Sequence, residues 1–567
     1  MVKYPARMDG ERVRPRGIAL PRPAFAWAAL AAAMALAAAA ILVSGRGTGF
    51  FFDEVGIYSQ SKWDLRYLLR PQNGQLFVLP RLFYQVLLDS SGPDYALARI
   101  GAVTGVLAVG GTFFLYAKRR VGAWVALPPS VLLLFFGSGW PATLWPVGAN
   151  FAWAIAAGIA ALLLLERADI PGDAGACLLL LFSVGCSAAG LAFVAGAAVA
   201  ILLESRRAGG RTDRGALIRR GFVVLVPLAL FGAWFLWSLQ FDQSRAHASN
   251  VLVIPKFVVD ALGASLAAAT GLNFGFTGED IARPDTSLAP LLLALAVGAL
   301  IWRLRRGAVP PGLWVWLAVL LAFWVSIALG AGKARTPVEA RYLYLGAVGI
   351  LAVAVEAVRG RVHPERAAFA GLALLVIAVP GNLRLLHDGG RFLREQNRAT
   401  RAQLGMIELA SAHVSPGFGG FAEPFLAPVT RAADYLGAAA RFGPLGYSPA
   451  EVLAQPEAIR ENADLVLSRA LRLHLEAAAV PGRGCVAQRP AAGGGAVRLE
   501  LRRGGATLEA ADGGTLGLGR FAKAPAVELG TLPPDVPVRL RIPGDAAPQP
   551  WTASIQTLGP VRVCPVS

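Results

Sequence analysis

The sequence predicts an α-helical polytopic membrane protein that ends in a small β domain, and three observations point there. Apolar runs of about 18 or more residues recur from Ala24 to about 383, each long enough to cross a bilayer core. Arg and Lys gather in the short loops on one side of those runs, the positive-inside pattern. Residues 481–567 are Gly-rich and carry short alternating segments such as Val497-Arg498-Leu499-Glu500-Leu501, a strand pattern. An apolar fraction of 55% over 567 residues, with mean hydropathy +0.53, is too greasy for a soluble chain of this size. The net charge of +18 would suggest nucleic acid in a soluble protein. Its concentration in short loops accounts for it instead, and no nucleic-acid partner is expected.

Taken in order, residues 1–23 hold Lys3, Arg7, Arg12, Arg14, Arg16 and Arg22 and read as a cytoplasmic tail. Ala24 to Val43 is the first membrane helix. Ser44-Gly45-Arg46-Gly47 lacks the small-residue pattern of a signal-peptide cleavage site. The first outer loop, 45–95, mixes Trp63, Tyr67 and Leu69 with Lys62, Asp64 and Arg66. It then turns at Pro71-Gln72-Asn73-Gly74-Gln75 and continues at helical spacing around Arg81. Further spans are expected near 97–117, 122–138, 149–165, 174–186, 188–203, 222–240, 287–302, 311–330, 343–358 and 367–383. With the first, that makes about eleven.

Loop charge supports the count. Lys118, Arg119 and Arg120, the 206–220 cluster, Arg303 to Arg306, and Arg359 with Arg361 fall on one side. The loop at 139–148 and the turn at 185–190 carry no Lys or Arg. This parity favours two helices over 174–203, with the amino terminus inside and the carboxyl terminus outside. Val251 to Ala269 reads as an amphipathic piece of the second outer loop. The chain thus divides into a tail at 1–23, a transmembrane domain at 24–385, an outer helical segment at 386–480 and an outer β domain at 481–567. The β domain is expected to be a sandwich. Helices are expected at 391–412 and 449–477, the second opening at Ser448-Pro449-Ala450-Glu451.

Two constellations carry chemistry. Phe50-Phe51-Phe52-Asp53-Glu54 lies where the chain leaves the first helix. A carboxylate there is partly dehydrated, so its pKa rises toward a value useful for proton transfer. Acidic residues at a membrane edge also serve simply to stop a helix from sliding into lipid. The second constellation is Lys333, Arg335 and Arg341, cations on the side where Lys and Arg are scarce between the helices. They suit a lipid-linked phosphate, which Arg grips with two hydrogen bonds, or bulk anionic headgroups. Asn73 and Arg81 suit positioning of a polar acceptor. Trp140 and Trp145 suit stacking on a sugar ring, and also an aromatic belt. Glu339, Tyr342 and Tyr344 flank the cationic loop. Four cysteines are present. Cys177 and Cys186 lie in apolar runs, whereas Cys485 and Cys564 bracket the last stretch. A disulfide between that pair is expected in an oxidising compartment, two free thiols being the alternative. Scattered histidines suggest no metal set, and no Walker loop, paired CxxC or nucleophile elbow is evident.

This layout resembles the GT-C superfamily of integral-membrane glycosyltransferases, over about residues 24–385. The resemblance lies in a short inner tail, one helix, a large first outer loop opening on Asp53-Glu54, about ten more helices and an outer domain at the end. The stretch Asn73-Gly74-Gln75-Leu76-Phe77-Val78-Leu79-Pro80-Arg81-Leu82 is also similar to first-loop segments of bacterial members. The resemblance implies inverting transfer of a sugar from a polyprenyl-phosphate carrier to an extracytoplasmic glycan, lipid or protein of the cell envelope. Asp53 or Glu54 would be the general base, with Lys333, Arg335 or Arg341 on the donor phosphate. No cofactor is implied for a monophosphate carrier; a diphosphate would call for a divalent metal. The sequence departs from better-known branches in its adjacent acidic pair. Rival readings are a transporter or flippase of lipid-linked glycans, which should carry ionisable residues at mid-membrane depth, and a polymerase or ligase, which needs no acidic pair. The expected location is the cell membrane, in contact with its lipid.

Overall fold

The computed structural model describes residues 22–207, 214–241, 248–272, 286–331, 335–361, 363–419, 430–478, 484–490, 495–501 and 504–565. Pro23 opens α1 (Pro23–Ser44), where its missing N–H costs no hydrogen bond, and the Ala-rich run continues unbroken to Gly45. The first loop folds as α2 (Asp53–Gln60), α3 (Leu65–Leu69) and α4 (Val78–Ser91). Asp94 caps α5 (Tyr95–Val121) by accepting from Ala96 N at 2.8 Å. Lys118, Arg119 and Arg120 complement the dipole at its other end. Then come α6 (Ala123–Leu134), α7 (Trp140–Thr143), α8 (Asn150–Leu165), α9 (Ile170–Cys186), α10 (Gly190–Arg207) and α11 (Arg214–Ser238). The bundle is completed by α12 (Ile254–Thr270), α13 (Ala289–Arg305), α14 (Pro311–Leu329), α15 (Ala340–Val358) and α16 (Pro364–Leu409).

Every apolar segment expected to span is largely helical, but fewer than eleven have the length to do so alone. Seven helices among the described residues are long and apolar enough to cross a membrane. They become eight if α6 and the bent stretch through α7, at 41°, form one span. The shortfall has a local cause. Helices α8 and α9 are short, and polar or charged residues end α10 and α13 before a full apolar window closes. The chain does divide within 174–203: α9 stops at Cys186, Ser187 is extended, and α10 begins at Gly190. A Cβ on Gly190 would lie 2.5 Å from the Ser183–Val184 backbone, so only glycine permits this close turn.

Helix α12 occupies the stretch expected as an amphipathic piece of the second outer loop. Its small residues Ala261, Gly263, Ala264 and Ala268 pack against α13, α14 and α15. It passes the length and composition test for a span. Its ends tell where it lies. Just before it, Asn250 donates to the carbonyls of Leu329 and Ala331 at the end of α14, at 3.0 and 3.2 Å. Just after it, Gly271 packs on Ala378, about 21 Å along α16 from its start. Helix α12 thus runs from the end of α14 to Ala378 within α16.

Helix α16 runs unbroken for 46 residues, about 69 Å, straight through the boundary expected near 385. The separate helix expected at 391–412 is its second half. Within it Asn382 accepts from Ser138 N and Oγ at 2.9 and 2.8 Å, and donates to Ala268 O at 3.3 Å. Beyond it stand α17 (Ala432–Phe442), α18 (Pro449–Leu453) and α19 (Glu457–Ala470). The Ser448–Glu451 capping box starts α18 as expected. The helix expected over 449–477 is interrupted before α19, at Pro456, and gives way to strand at Leu475.

Among the described residues nine strands follow: β1 (Leu475–Ala477), β2 (Val486–Gln488), β3 (Gly495–Leu501), β4 (Ala506–Ala510), β5 (Gly514–Gly519), β6 (Val527–Leu532), β7 (Val538–Leu540), β8 (Trp551–Thr557) and β9 (Val561–Pro565). They form two sheets of antiparallel neighbours, ordered β1-β7-β4-β9-β2 and β3-β8-β5-β6. Val497, Leu499 and Leu501 of β3 point inward while the residues between them are exposed. Leu508 and Leu540 of one sheet share a core with Leu516 and Ile555 of the other. Cys485 and Cys564 are joined in a disulfide. The same core also takes in Phe50, Tyr58, Tyr84 and Tyr95, together with Leu404, Tyr435 and Val466, so the first loop is packed onto the carboxyl-terminal region.

Close approach makes Gly390 a sensitive joint, since a Cβ there would lie 2.2 Å from Ser44 O. Gly390→Val should destabilise the purified protein by about 2–4 kcal/mol, read as a lower melting temperature in detergent. Gly298→Ala, where an added Cβ meets nothing within 4 Å, should leave it unchanged.

Candidate functional site

The three phenylalanines before the acidic pair are not surface anchors. Phe50 packs between Tyr58, Tyr84 and Tyr95 at 5.7, 6.4 and 5.2 Å. Phe51 meets Trp145 and Phe392 at 5.8 and 6.2 Å. Phe52 then turns the chain with φ 48°, a region L-residues rarely adopt. Asp53 and Glu54 start α2, where carboxylates complement the helix dipole. Adjacent helical positions point about 100° apart, so the two carboxylates enter different surroundings.

Glu54 is fully buried. Its Oε1 accepts from the Tyr84 hydroxyl and from Val147 N at 3.2 Å. Its Oε2 accepts from the Tyr95 hydroxyl at 2.8 Å and from Phe51 N at 3.3 Å. Burial pushes its pKa up to about 7 despite these donors. The carboxylate ties α2 to α4, to α5 and to the loop after α7.

Asp53 is half-buried and faces the other way. Its Oδ1 accepts from Gln72 Nε2 and its Oδ2 from Asn73 Nδ2, both at 3.2 Å. Burial raises its pKa; the Arg341 charge is the largest opposing influence, followed by those two hydrogen bonds and Arg81. The acidic pair and the third loop are therefore neighbours in space. A second contact confirms the meeting of the two loops, for the Arg335 guanidinium donates to Asn73 O.

The Gln72–Gln75 turn is the hinge of this arrangement. Asn73 and Gly74 have φ 50° and 76°, the Asn-Gly type I′ pattern. Gln72 and Gln75 exchange two backbone bonds of 3.0 Å. Gln75 Oε1 also accepts from Ser187 Oγ at 3.0 Å, which pins the turn to the break between α9 and α10. Arg81 is buried and positions the turn. Its guanidinium donates to Tyr67 O at 3.0 Å, to Arg70 O and to Gln72 Oε1 at 3.0 Å. Gln72 passes this order on to Asp53.

A cavity of about 70 Å³ opens beside Asp53, lined also by Gln60, Arg70, Gln72, Asn73 and Arg81. It has room for about two waters, not a sugar ring. Through Gln60, Tyr67 and Arg70 it adjoins a much larger cleft of about 980 Å³. On the other face of α4 lies an apolar groove of about 580 Å³, walled by Leu79, Phe83, Ile100, Trp153 and Phe182.

Other residues singled out from sequence lie elsewhere. Trp140 is core, stacked on Phe392 at 5.6 Å and against Gly389. Trp145 packs on Phe51 beside Glu54. Tyr342 is buried against Phe151 and Phe323, with the Arg341 guanidinium over its ring at 4.9 Å. Tyr344 is fully buried and donates to Leu133 O at 3.2 Å. Helix packing claims the rings of Trp140, Tyr342 and Tyr344, while Trp145 is half-buried. Glu339 stands at the N-cap of α15, two residues before Arg341. Lys333 falls outside the described residues. Among the described residues no group of three or more His, Cys, Asp or Glu side chains is placed to hold a metal ion. Gln72, Tyr84, Tyr95 and Val147 N were not foreseen. The Asn-Gly turn was the one local signal that pointed toward Gln72.

Comparison with protein-family models finds no match, and comparison with curated proteins finds none either.

The folded pKa of Glu54 lies above its ordinary 4.5, so the stability it contributes is full below about 4.5 and is lost as pH rises through about 7. The stability advantage of wild type over Glu54→Gln should therefore shrink by about 1–3 kcal/mol between pH 5 and pH 8. Paired thermal melts across that range provide the check.

Proposed function

We propose that this chain is an inverting membrane glycosyltransferase that takes a sugar from a polyprenyl-phosphate carrier, with Asp53 as general base. The observation that carries this reading is the contact of Arg335 with Asn73, which itself donates to Asp53, together with the influence of the Arg341 charge on Asp53, from segments far apart in the sequence. Of the acidic pair, Asp53 has a cavity to work into, whereas Glu54 is enclosed by four donors.

In the proposed reaction an acceptor hydroxyl enters the Asp53 cavity and gives its proton to the carboxylate. The hydroxyl oxygen attacks the anomeric carbon as the bond from that carbon to the carrier phosphate oxygen breaks. The phosphate leaves with the bonding pair, and its charge is met by Arg341 and Arg335. Burial raises the basicity of Asp53 above an ordinary aspartate while the Arg341 charge keeps the carboxylate ionisable. The apolar groove suits a prenyl tail. Its end at Leu79 and Cys186 adjoins the Gln72–Gln75 turn through the Ser187–Gln75 bond.

The proposed topology has eleven crossings, with α12 lying across the outer end and the amino terminus in the cytoplasm. Helices α8, α9 and α13, of 16 or 17 residues, reach about 24–26 Å, near the lower limit for a span. Loop arginines then fall on the cytoplasmic side, and the disulfide-bonded β domain on the oxidising side. The contacts that join the first loop to the carboxyl-terminal region require both to stand on one face.

The test is turnover of lipid-linked sugars by the purified chain in membranes. Asp53→Asn should lower the rate by about 10²–10⁴-fold with an unchanged melting temperature. Arg341→Ala should lower it by about 10²–10³-fold. The wild-type rate should rise with pH through an acid limb that lies above pH 3.8, the ordinary aspartate value. Full transfer by Asp53→Asn would remove the reading.

A further inference from the structure

We infer that the acceptor is an acidic glycan, bound in the cleft of about 980 Å³ between the first loop and α17. The inference rests on the transferase reading for the word acceptor; the binding site itself stands on separate observations.

The first observation is unspent positive charge. Arg66, Arg70 and Arg431 line the cleft, and among the described residues none has a carboxylate within ion-pair distance. The other two cations of the wall are already paired, Lys62 with Asp64 at 3.2 Å and Arg441 with Asp89 at 2.8 Å. Asp434, in the first turn of α17, is the remaining acid of the lining. The cleft therefore offers three guanidiniums against one acid once internal pairs are set aside. Guanidiniums present a planar fork that fits a carboxylate or phosphate with two hydrogen bonds.

The second observation is how two of them are held. Arg66 and Arg70 both lie over the ring of Phe241, at 6.0 and 5.9 Å from its centre. The ring attracts both cations and holds them side by side; Arg70 also donates to Gln60 Oε1 at 3.5 Å, and the remaining N–H groups can meet anions. The third is Thr430, 2% exposed, a residue of the cleft wall whose buried hydroxyl has no hydrogen-bond partner among the described residues. A sugar hydroxyl would satisfy it.

Size and position complete the case. At about 980 Å³ the cleft stands at the top of the usual range for small-molecule sites, about 300–1,000 Å³. That is room for several sugar rings and not only one. Gln60, Tyr67 and Arg70 line both the cleft and the Asp53 cavity. A chain held by its anionic groups in the cleft can thus extend one hydroxyl toward Asp53. Carboxylate and phosphate substituents present the same chemistry to these arginines.

The experiment measures binding by the full chain in detergent micelles at low salt. The probes are fluorescent tetragalacturonate, its methyl ester and a phosphorylated maltotetraose, with inorganic phosphate as competitor. Either acidic tetramer should bind at least tenfold more tightly than the ester, and which acid binds better identifies the substituent. Arg66→Ala with Arg431→Ala should weaken binding at least fivefold at an unchanged melting temperature. Arg498→Ala, an exposed arginine of β3, should not. Equal binding of acid and ester overturns the inference. So does unchanged binding by the double variant, or competition by inorganic phosphate as strong as by unlabelled tetramer. Sugar transfer is scored separately. Acid-selective binding without transfer keeps the cleft assignment and removes the transferase reading. Transfer with no preference for acidic acceptors does the reverse.

Discussion

The arrangement at this end of the molecule depends on the buried carboxylate of Glu54. A carboxylate taken out of water is costly unless donors replace its hydration. Here the donors come from Phe51, Tyr84, Tyr95 and Val147, on four separate stretches of chain. The group cannot leave without exposing all of them, and none of them can move without stranding the group. Its placement also decides where Asp53 goes, because the neighbouring helical position must face a different side. A structural acid thereby aims a chemical one.

The same economy appears on the other side of Asp53. Arg81, buried and spread over the carbonyls of the α3 turn, also fixes Gln72. The Asn-Gly turn then presents two side-chain amides to Asp53 and one carbonyl to Arg335. Phe52 at φ 48° carries strain of about 1–3 kcal/mol, which the packing of Phe50 and Phe51 offsets. Strain held next to an aimed carboxylate, beside a cavity that opens toward a basic cleft, fits a site whose geometry is set before any substrate arrives.

Helix α16 joins the two cores. Its first half packs in the bundle, and its second half, through Leu404 and Ile407, belongs to the core shared by the first loop and the carboxyl-terminal region. Composition changes sharply near residue 385, from apolar to charged, although the backbone does not break there. A helix satisfies its backbone N–H and C=O groups internally in apolar and in aqueous surroundings alike, so a change in composition marks no boundary in the helix.

Local pattern alone therefore determined the helical class, the position of each apolar segment, the break after Cys186, the turn at Asn73-Gly74, the α18 cap and the strand-rich carboxyl end. All but the break follow from neighbours a few positions apart, namely apolar runs, caps and residues that tolerate positive φ; the break follows from the parity of loop charge along the chain. Only the tertiary structure decided that Asp53 and Glu54 part company, that Arg81 holds the turn beside Asp53, that Tyr342 and Tyr344 are buried in the helix packing, and that Arg335 reaches Asn73. These outcomes depend on which donor or ring comes from elsewhere in the chain to meet a given side chain, and no periodicity along the sequence encodes that partner.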